Sequence, residues 1–253
     1  MSSKIIAVLN QKGGVGKTTT TINVGAYLAR SGRSVLIADL DPQGNATSGL
    51  GLDKQSLDST MYDVLFKSAE TAGTIKETNN SGLSVLPANA TLAAAEVDLA
   101  GEPGREYRLK EALQGLTYDY VLIDCPPSLG LLSINALAGA DYVLIPVQAE
   151  YYALEGLGQL LDTIQRVRGG INPHLELLGV VITMHDGRTT LAEQVATEVH
   201  KHFGDKIFET VIPRNVRLAE APSFGKSIAD HDKWSKGARA YKQLAKEIDR
   251  RIS

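Results

Sequence analysis

The sequence predicts an α/β protein with a doubly wound, mostly parallel β-sheet that is covered by helices on both faces. Short, continuous apolar runs alternate with longer segments of helical period along the 253 residues. Uninterrupted apolar runs are typical of strands buried on both faces, and their alternation with helices is typical of parallel sheets. A glycine-rich loop between the first run and the first helical segment supports the same fold class.

The predicted strands are apolar runs of four or five residues. They cover residues 5–9, 35–38, 83–86, 120–123, 142–145, 178–182 and 207–211. The first helix is predicted from about Lys17 to Ser31, where Gly32 is suited to end it. The stretch from residue 53 to residue 81 is more polar and less regular, which indicates helix and loop at the edge of the sheet. Since no repeat or linker is found, residues 1–253 are predicted to form one domain.

The composition excludes several classes of function. The chain has one cysteine, Cys125, so an internal disulfide and a Cys/His metal site are both excluded. The first residues do not form a signal peptide, and the apolar runs are too short to cross a bilayer. We therefore expect a cytoplasmic protein.

The charge is unevenly distributed. The net charge is −3, but the residues from Arg214 onward contain ten Lys and Arg against five Asp and Glu, a net +5. An acidic body with a basic end permits contact with a polyanion. A solvated helix face would explain the same residues, and charge by itself favours that simpler interpretation.

The stretch NQKGGVGKTTTT, residues 10–21, predicts a phosphate-binding loop. Its glycines let the backbone N–H groups point inward, at the start of a helix where the potential is positive. Lys17 can neutralise the β- and γ-phosphates of ATP, the Thr18 hydroxyl can bind Mg²⁺, and Thr19 can reach the α-phosphate. The predicted nucleotide-binding residues are Gly13, Gly14, Val15, Gly16, Lys17, Thr18 and Thr19. Gln11 replaces the first glycine of the usual pattern, and a second lysine, Lys12, lies beside it.

Three aspartates follow the ends of predicted strands and complete the candidate site. Asp39 and Asp124 are candidate magnesium ligands with Thr18, because carboxyl ends of strands line the ligand crevice of a doubly wound sheet. A turn or a helix cap is the alternative for each aspartate. Cys125 replaces the glutamate that often acts as a base beside such an aspartate, so Asp41 is the best candidate to orient the attacking water. Residues 126–130 are predicted to be a switch segment that senses the γ-phosphate.

The combination of KGGVGKTTT, DLDPQGNATSGLG, IDCPPSLG, PVQAEYYALEG and IPRNVRLAEAPSFGK closely resembles the ParA/Soj chromosome-partitioning ATPases. These proteins belong to the deviant Walker A, or ParA/MinD, group of phosphate-loop NTPases. The resemblance covers essentially the whole chain. It implies ATP and Mg²⁺ as cofactors, a sandwich homodimer in the ATP state, non-specific binding of double-stranded DNA, association with the nucleoid and a ParB-type partner that stimulates hydrolysis. It also implies that Lys12 crosses the dimer interface to the partner's phosphates.

The resemblance implies further site residues in the second half of the chain. Arg188, Arg217 and Lys226 match positions of DNA-backbone contacts, within a basic region of about residues 185–253. Arg and Lys without interleaved aromatic residues favour phosphate contact over base stacking. Pro213 and Asn215 resemble the stretch that contacts adenine.

Three other classes of function compete with this interpretation. A MinD-like membrane-surface ATPase would need a C-terminal amphipathic helix with bulky apolar residues, whereas the apolar side of residues 237–253 lacks Phe and Trp and is better explained by core packing. An iron–sulfur or metal-insertion ATPase would need additional cysteines. A metabolic kinase or ligase would need a second substrate pocket, for which the sequence gives no sign.

Overall fold

A seven-stranded sheet forms the centre of the computed structural model, which describes residues 3–150 and 155–252. Its order is β3-β4-β2-β5-β1-β6-β7, and every pairing is parallel except the one between β3 and β4. The strands are β1 (Lys4–Val8), β2 (Val35–Asp39), β3 (Lys76–Glu77), β4 (Leu83–Leu86), β5 (Tyr120–Asp124), β6 (Tyr142–Gln148) and β7 (Glu176–Thr183). The doubly wound, mostly parallel α/β fold is confirmed.

Helices cover both faces of the sheet and bury two separate apolar cores against it. The α-helices are α1 (Lys17–Arg30), α2 (Asn45–Gly49), α3 (Met61–Leu65), α4 (Thr71–Thr74), α5 (Ala95–Asp98), α6 (Arg108–Leu113), α7 (Leu131–Gly139), α8 (Glu155–Gly170), α9 (Thr190–Phe203), α10 (Val216–Glu220), α11 (Ile228–His231) and α12 (Lys236–Ile252). Continuous apolar strands are therefore explained by burial on both faces.

The strand register brings the candidate site together. Asp39 at the end of β2 lies opposite Asp124 at the end of β5, and Val8 at the end of β1 lies opposite the same aspartate. Because these three strands are parallel and adjacent, the loops that follow them meet at one edge of the sheet.

The predicted strand at residues 207–211 is wrong. This segment runs beside β7, where Val180 and Ile207 form an isolated parallel bridge and Phe208 N donates to the Val180 carbonyl oxygen at 2.9 Å. The Glu247 carboxylate on α12 accepts hydrogen bonds from the backbone N–H groups of Glu209 and Thr210, at 2.9 and 3.2 Å. The pairing with β7 is therefore interrupted after Phe208, where a helix side chain accepts the next two N–H groups.

The C-terminal helix α12 packs its apolar side into the core. Tyr241, Leu244 and Ile248 are each at most 1% exposed, and the Tyr241 hydroxyl lies 3.1 Å from Thr20 Oγ1 of α1. This confirms that core packing explains the helix. Within residues 3–150 and 155–252, each helix is too short or too polar to cross a membrane.

Candidate nucleotide-binding site and basic surface

The glycine-rich loop joins β1 to α1 and needs glycine at two positions. Gly14 and Gly16 have φ of 75° and 89°, a region that other residues enter only with strain. Gly16 lies directly before α1, so the free N–H groups of the first turn face the loop. This geometry provides an anion-binding cradle at a helix N-terminus.

Lys17 points back into the loop. Its side chain is 7% exposed, and Nζ donates to the Lys12 carbonyl oxygen at 3.2 Å. Burial lowers the pKa of Lys17, while the nearby carboxyls of Asp124 and Asp41 partly offset that effect. A buried ammonium with one neutral acceptor is well placed to receive a phosphate oxygen.

Asp124 has the features of a magnesium-site carboxylate. It is fully buried, and it accepts hydrogen bonds from Thr18 and from Thr21 Oγ1, the latter at 3.2 Å. Its second oxygen, Oδ2, is buried and has no hydrogen-bond partner among the described residues. Burial and the charge of Asp39 raise the pKa of Asp124. An unpaired buried oxygen next to a threonine hydroxyl fits a hard cation.

Asp39 is equally buried, but its oxygens are already engaged. Oδ2 accepts from Thr47 N and Oγ1 at 2.8 and 2.7 Å, and Oδ1 accepts from Asp41 N at 3.2 Å. Burial raises the pKa of Asp39, and these hydrogen bonds limit the rise. Asp39 therefore anchors the loop after β2, and its role as a metal ligand stays a prediction.

Asp41 and Cys125 lie at the same edge of the sheet. Asp41 is 7% exposed, and Oδ1 accepts from Gln43 N at 2.9 Å. Burial and the charge of Asp124 raise the pKa of the Cys125 thiol well above its usual range. The thiol is therefore protonated and is a poor base, and the role of Asp41 in orienting water stays a prediction.

Lys12 points away from its own loop. Its Nζ lies 2.6 Å from Glu150 Oε2, and both side chains are more than 40% exposed. Asn10, which the sequence analysis passed over, fixes the backbone of this turn: its Oδ1 accepts from Lys12 N at 3.0 Å, and its Nδ2 donates to the Pro146 carbonyl oxygen at 2.7 Å. The sequence signal that could have identified Asn10 is an amide side chain directly after an apolar predicted strand.

A pocket of about 360 Å³ opens beside the glycine loop. Its lining includes Gly16 and Thr19 on one side and Pro213 and Asn215 on the other. Thr183, at the end of β7, was not predicted. It lines the pocket and ties β7 to the loop, since its hydroxyl donates to the Val15 carbonyl oxygen at 2.8 Å. The structure thus brings the predicted adenine-contacting residues next to the predicted phosphate-binding residues.

The three predicted DNA-contacting residues are exposed, but two are paired with carboxylates. Arg188 makes a bidentate contact with Asp186 at 2.7 and 2.8 Å. Arg217 Nη1 lies 2.9 Å from Glu220 Oε2. Lys226 forms no ion pair within the described parts of the chain.

The structure also corrects the expectation that aromatic residues are absent from the basic region. Phe224 and Trp234 are 63% and 79% exposed. Both lie between Arg217 and Lys236 in the sequence, among the cationic residues of the basic region.

Comparison with known proteins identifies the family. A family profile described as AAA domain matches residues 3–177. The sporulation initiation inhibitor protein Soj of Bacillus subtilis is 56% identical over 247 residues, which cover 97% of this chain and 98% of that protein. The chromosome-partitioning ATPase Soj of Thermus thermophilus is also 56% identical, over 98% of this chain and 96% of that protein. The chain belongs to the ParA/Soj family of chromosome-partitioning ATPases.

The ParA/Soj fold is also found in a solved structure. Cobyrinic acid a,c-diamide synthase from Mycobacterium smegmatis, with bound ATP analog and magnesium, has a TM-score of 0.88 and 41% identity. The match covers 99% of this chain and 96% of that chain.

The motif PVQAEYYALEG, which contributes to the resemblance, is described only in part. Its residues 151–154 lie outside the described residues.

Proposed function

We propose that this ParA/Soj-family protein is a Mg²⁺-dependent ATPase that partitions a chromosome or plasmid by switching between two assemblies. ATP joins two copies into a sandwich dimer, and the dimer binds double-stranded DNA without regard to sequence. Hydrolysis, stimulated by a ParB-type centromere-binding partner, separates the copies and releases the DNA. The protein would then act in the cytoplasm on the nucleoid surface.

The orientation of Lys12 is the observation that carries the proposal. Lys17 already occupies the loop, whereas Lys12 extends outward to Glu150. An exposed ion pair contributes little stability, so Lys12 can exchange Glu150 for a phosphate of a second copy. A cation supplied by the partner would link the presence of the γ-phosphate to assembly.

The residues of one copy divide the chemistry between them. Lys17 binds the phosphates, and Thr18 and Asp124 would hold Mg²⁺, which neutralises phosphate charge when bound. Asp41 orients the attacking water through its carboxylate. Pro213 and Asn215, which line the pocket beside Gly16, would contact the base.

DNA binding is the second part of the switch. Each copy presents exposed cations, among them Lys226, Lys233 and Lys236, on an otherwise acidic chain. Phosphate contacts are additive and weakened by salt, so two basic surfaces on one rigid dimer bind far more tightly than one. We therefore expect DNA binding with ATP and little with ADP.

Two variants test the switch, measured by size-exclusion chromatography with light scattering. Lys12→Ala should bind ATP as a monomer, because the contact across the interface is removed. Asp41→Ala should bind ATP and accumulate as a dimer, because the water is no longer oriented. A Lys12→Ala dimer with wild-type hydrolysis would contradict the role of Lys12 in the partner's site.

Glu150→Gln is the matched control for Lys12. It removes the intramolecular ion pair but keeps the lysine, so dimerisation should persist or increase.

Hydrolysis measured without a second substrate separates a partitioning ATPase from a synthase. Sedimentation with anionic vesicles and ATP tests the MinD-like alternative, since a membrane-surface ATPase would pellet with the lipid.

A further inference from the structure

The basic region carries an aromatic feature that backbone contact with DNA does not require. Trp234, the single tryptophan of the chain, is 79% exposed. Its ring offers a large apolar face on which a planar ligand group can stack. Lys233 Nζ lies 5.3 Å from the centroid of the Trp234 ring, so a cation and an aromatic surface are presented together.

A network of polar contacts holds this aromatic feature next to Arg217. The Asp232 carboxylate accepts a hydrogen bond from Trp234 N at 3.1 Å, and its other oxygen lies 3.7 Å from Arg217 Nε. Arg217 Nη1 in turn contacts Glu220 at 2.9 Å. The Trp234 backbone and the predicted DNA-contacting arginine are therefore joined through one carboxylate.

Phe224 belongs to the same surface. Its ring stacks on His231 with centroids 5.0 Å apart, and His231 Nε2 lies 3.6 Å from Glu220 Oε2. Glu220 thus joins the arginine to the second exposed aromatic ring. We call Arg217, Phe224, Lys233 and Trp234 the aromatic-basic surface.

The charge of this surface favours a polyanion. Its neighbouring carboxylates are engaged: Glu220 and Asp232 contact Arg217, and Asp230 pairs with Arg30. Lys226, Lys233, Lys236 and Arg239 are exposed and have no ion pair among the residues that the structure describes. Free cations beside an exposed ring are the combination that single-stranded nucleic acid recognises, since phosphates contact the cations and bases stack on the ring.

We propose that the aromatic-basic surface binds unpaired DNA bases, with Trp234 as the stacking platform and the neighbouring Lys233, which has no ion pair among the described residues, as the phosphate contact beside Arg217. The inference rests on the proposed DNA-binding function and deepens it. Through Trp234 the dimer would gain affinity for single-stranded or locally opened DNA that it does not gain for a closed duplex, because bases inside a duplex are already stacked.

Trp234 provides its own probe, since no other tryptophan contributes to the fluorescence. The full chain with Mg²⁺ and a non-hydrolysed ATP analogue is titrated with single-stranded oligothymidylate and with a duplex of the same length. We expect strong quenching by the single strand and weak quenching by the duplex. Trp234→Ala should lose about tenfold in affinity for the single strand and less than about twofold for the duplex.

Matched variants separate stacking from charge and from folding. Trp234→Phe should retain most of the single-strand affinity, and Arg217→Ala should weaken binding of both DNAs. Val97→Ala removes another exposed apolar side chain, 77% exposed on α5, and should change neither affinity.

Three outcomes would overturn the inference. Duplex binding with unchanged fluorescence and an unaffected Trp234→Ala variant would refute the stacking role while leaving the proposed function intact. Absence of binding to either DNA in every nucleotide state would refute the proposed function itself. A fluorescence blue shift with anionic vesicles, together with no response to DNA, would assign the surface to a membrane.

Discussion

The nucleotide edge of the sheet and the aromatic-basic surface both present charged groups, but in opposite environments. Lys17 and Asp124 are at most 7% exposed and are fixed by strands and a helix start. Arg188 and Arg217 are more than half exposed and contact the carboxylates of Asp186 and Glu220, two and three residues away in the sequence. Buried charges interact strongly with a bound phosphate. Exposed charges are screened by water and salt, so several of them are needed to bind a polyanion. The first region supports chemistry, and the second supports adjustable binding.

The largest expected effect is at the nucleotide edge. Lys17→Ala should weaken ATP binding by about 100-fold or more, because a buried polyphosphate loses a charged hydrogen-bond partner. Isothermal titration with ATP and Mg²⁺ measures this. Lys4→Ala, an exposed lysine at the start of β1, is the control and should bind normally; equal affinity in both variants would refute the assignment of Lys17.

Asp39 and Asp124 allow a comparison within that edge. Asp124→Asn should raise the melting temperature of the nucleotide-free protein at pH 8, because Oδ2 of the buried carboxylate has no hydrogen-bond partner among the described residues, which makes its charged form costly. The raised pKa of Asp124 means that this penalty grows as pH rises from about 4 through the folded-state pKa, so the gain should vanish near pH 4.

Asp39→Asn is the matched variant and should lower the melting temperature. An amide presents one acceptor oxygen, so it cannot replace both carboxylate oxygens toward Thr47 and Asp41. Thermal unfolding from pH 4 to pH 8 distinguishes the two aspartates. Equal shifts of the melting temperature in both variants would mean that the different hydrogen bonding of Asp39 and Asp124 does not affect stability.

Intermediate effects are expected at the exposed arginines. Arg188→Ala and Arg217→Ala should each weaken duplex binding several-fold. Arg217→Ala should also reduce the slope of log affinity against log salt concentration by about one, the value expected for one lost phosphate contact. Asp186→Asn should strengthen binding, because it frees Arg188 from its bidentate carboxylate.

Fluorescence anisotropy across a salt series measures these affinities, with ATP-dependent dimerisation as the internal control. Arg168→Ala, an exposed arginine in the last turn of α8, should leave DNA binding unchanged. Unchanged affinity in the Arg188 and Arg217 double variant would place the polyanion site elsewhere.

The smallest effect is expected where the two regions meet, on α10. Asn215 lines the nucleotide pocket and caps α10, since its Oδ1 accepts from Arg217 N at 2.9 Å. Losing the cap costs about 1 kcal/mol, so Asn215→Ala should weaken both ATP and DNA binding a few-fold. Asn215→Asp keeps the cap and should retain DNA binding in the ATP-bound dimer; loss of DNA binding in both variants would show that the amide, and not the helix cap, supports the bound state.

The sequence predicted the nucleotide edge better than the basic surface for a physical reason. Gly14, Gly16 and Lys17 are consecutive or nearly so, and backbone conformation places them without help from distant residues. The predicted strand at residues 207–211 is wrong because Glu247, distant in sequence, accepts the hydrogen bonds of Glu209 N and Thr210 N and interrupts the pairing with β7. Asn10 and Thr183 were missed because their partners, Pro146 and Val15, lie far along the chain.

The sequence by itself determined the α/β class, the phosphate loop, the strand-end aspartates and the basic end, because periodicity and local motifs are properties of neighbouring residues. Tertiary structure decided which charges are free. Among the described residues, it left one oxygen of Asp124 without a hydrogen-bond partner and engaged both oxygens of Asp39, although both aspartates end a buried strand. It also turned Lys12 outward and exposed Trp234 beside Arg217. Burial and pairing depend on contacts between distant segments, which no local pattern records.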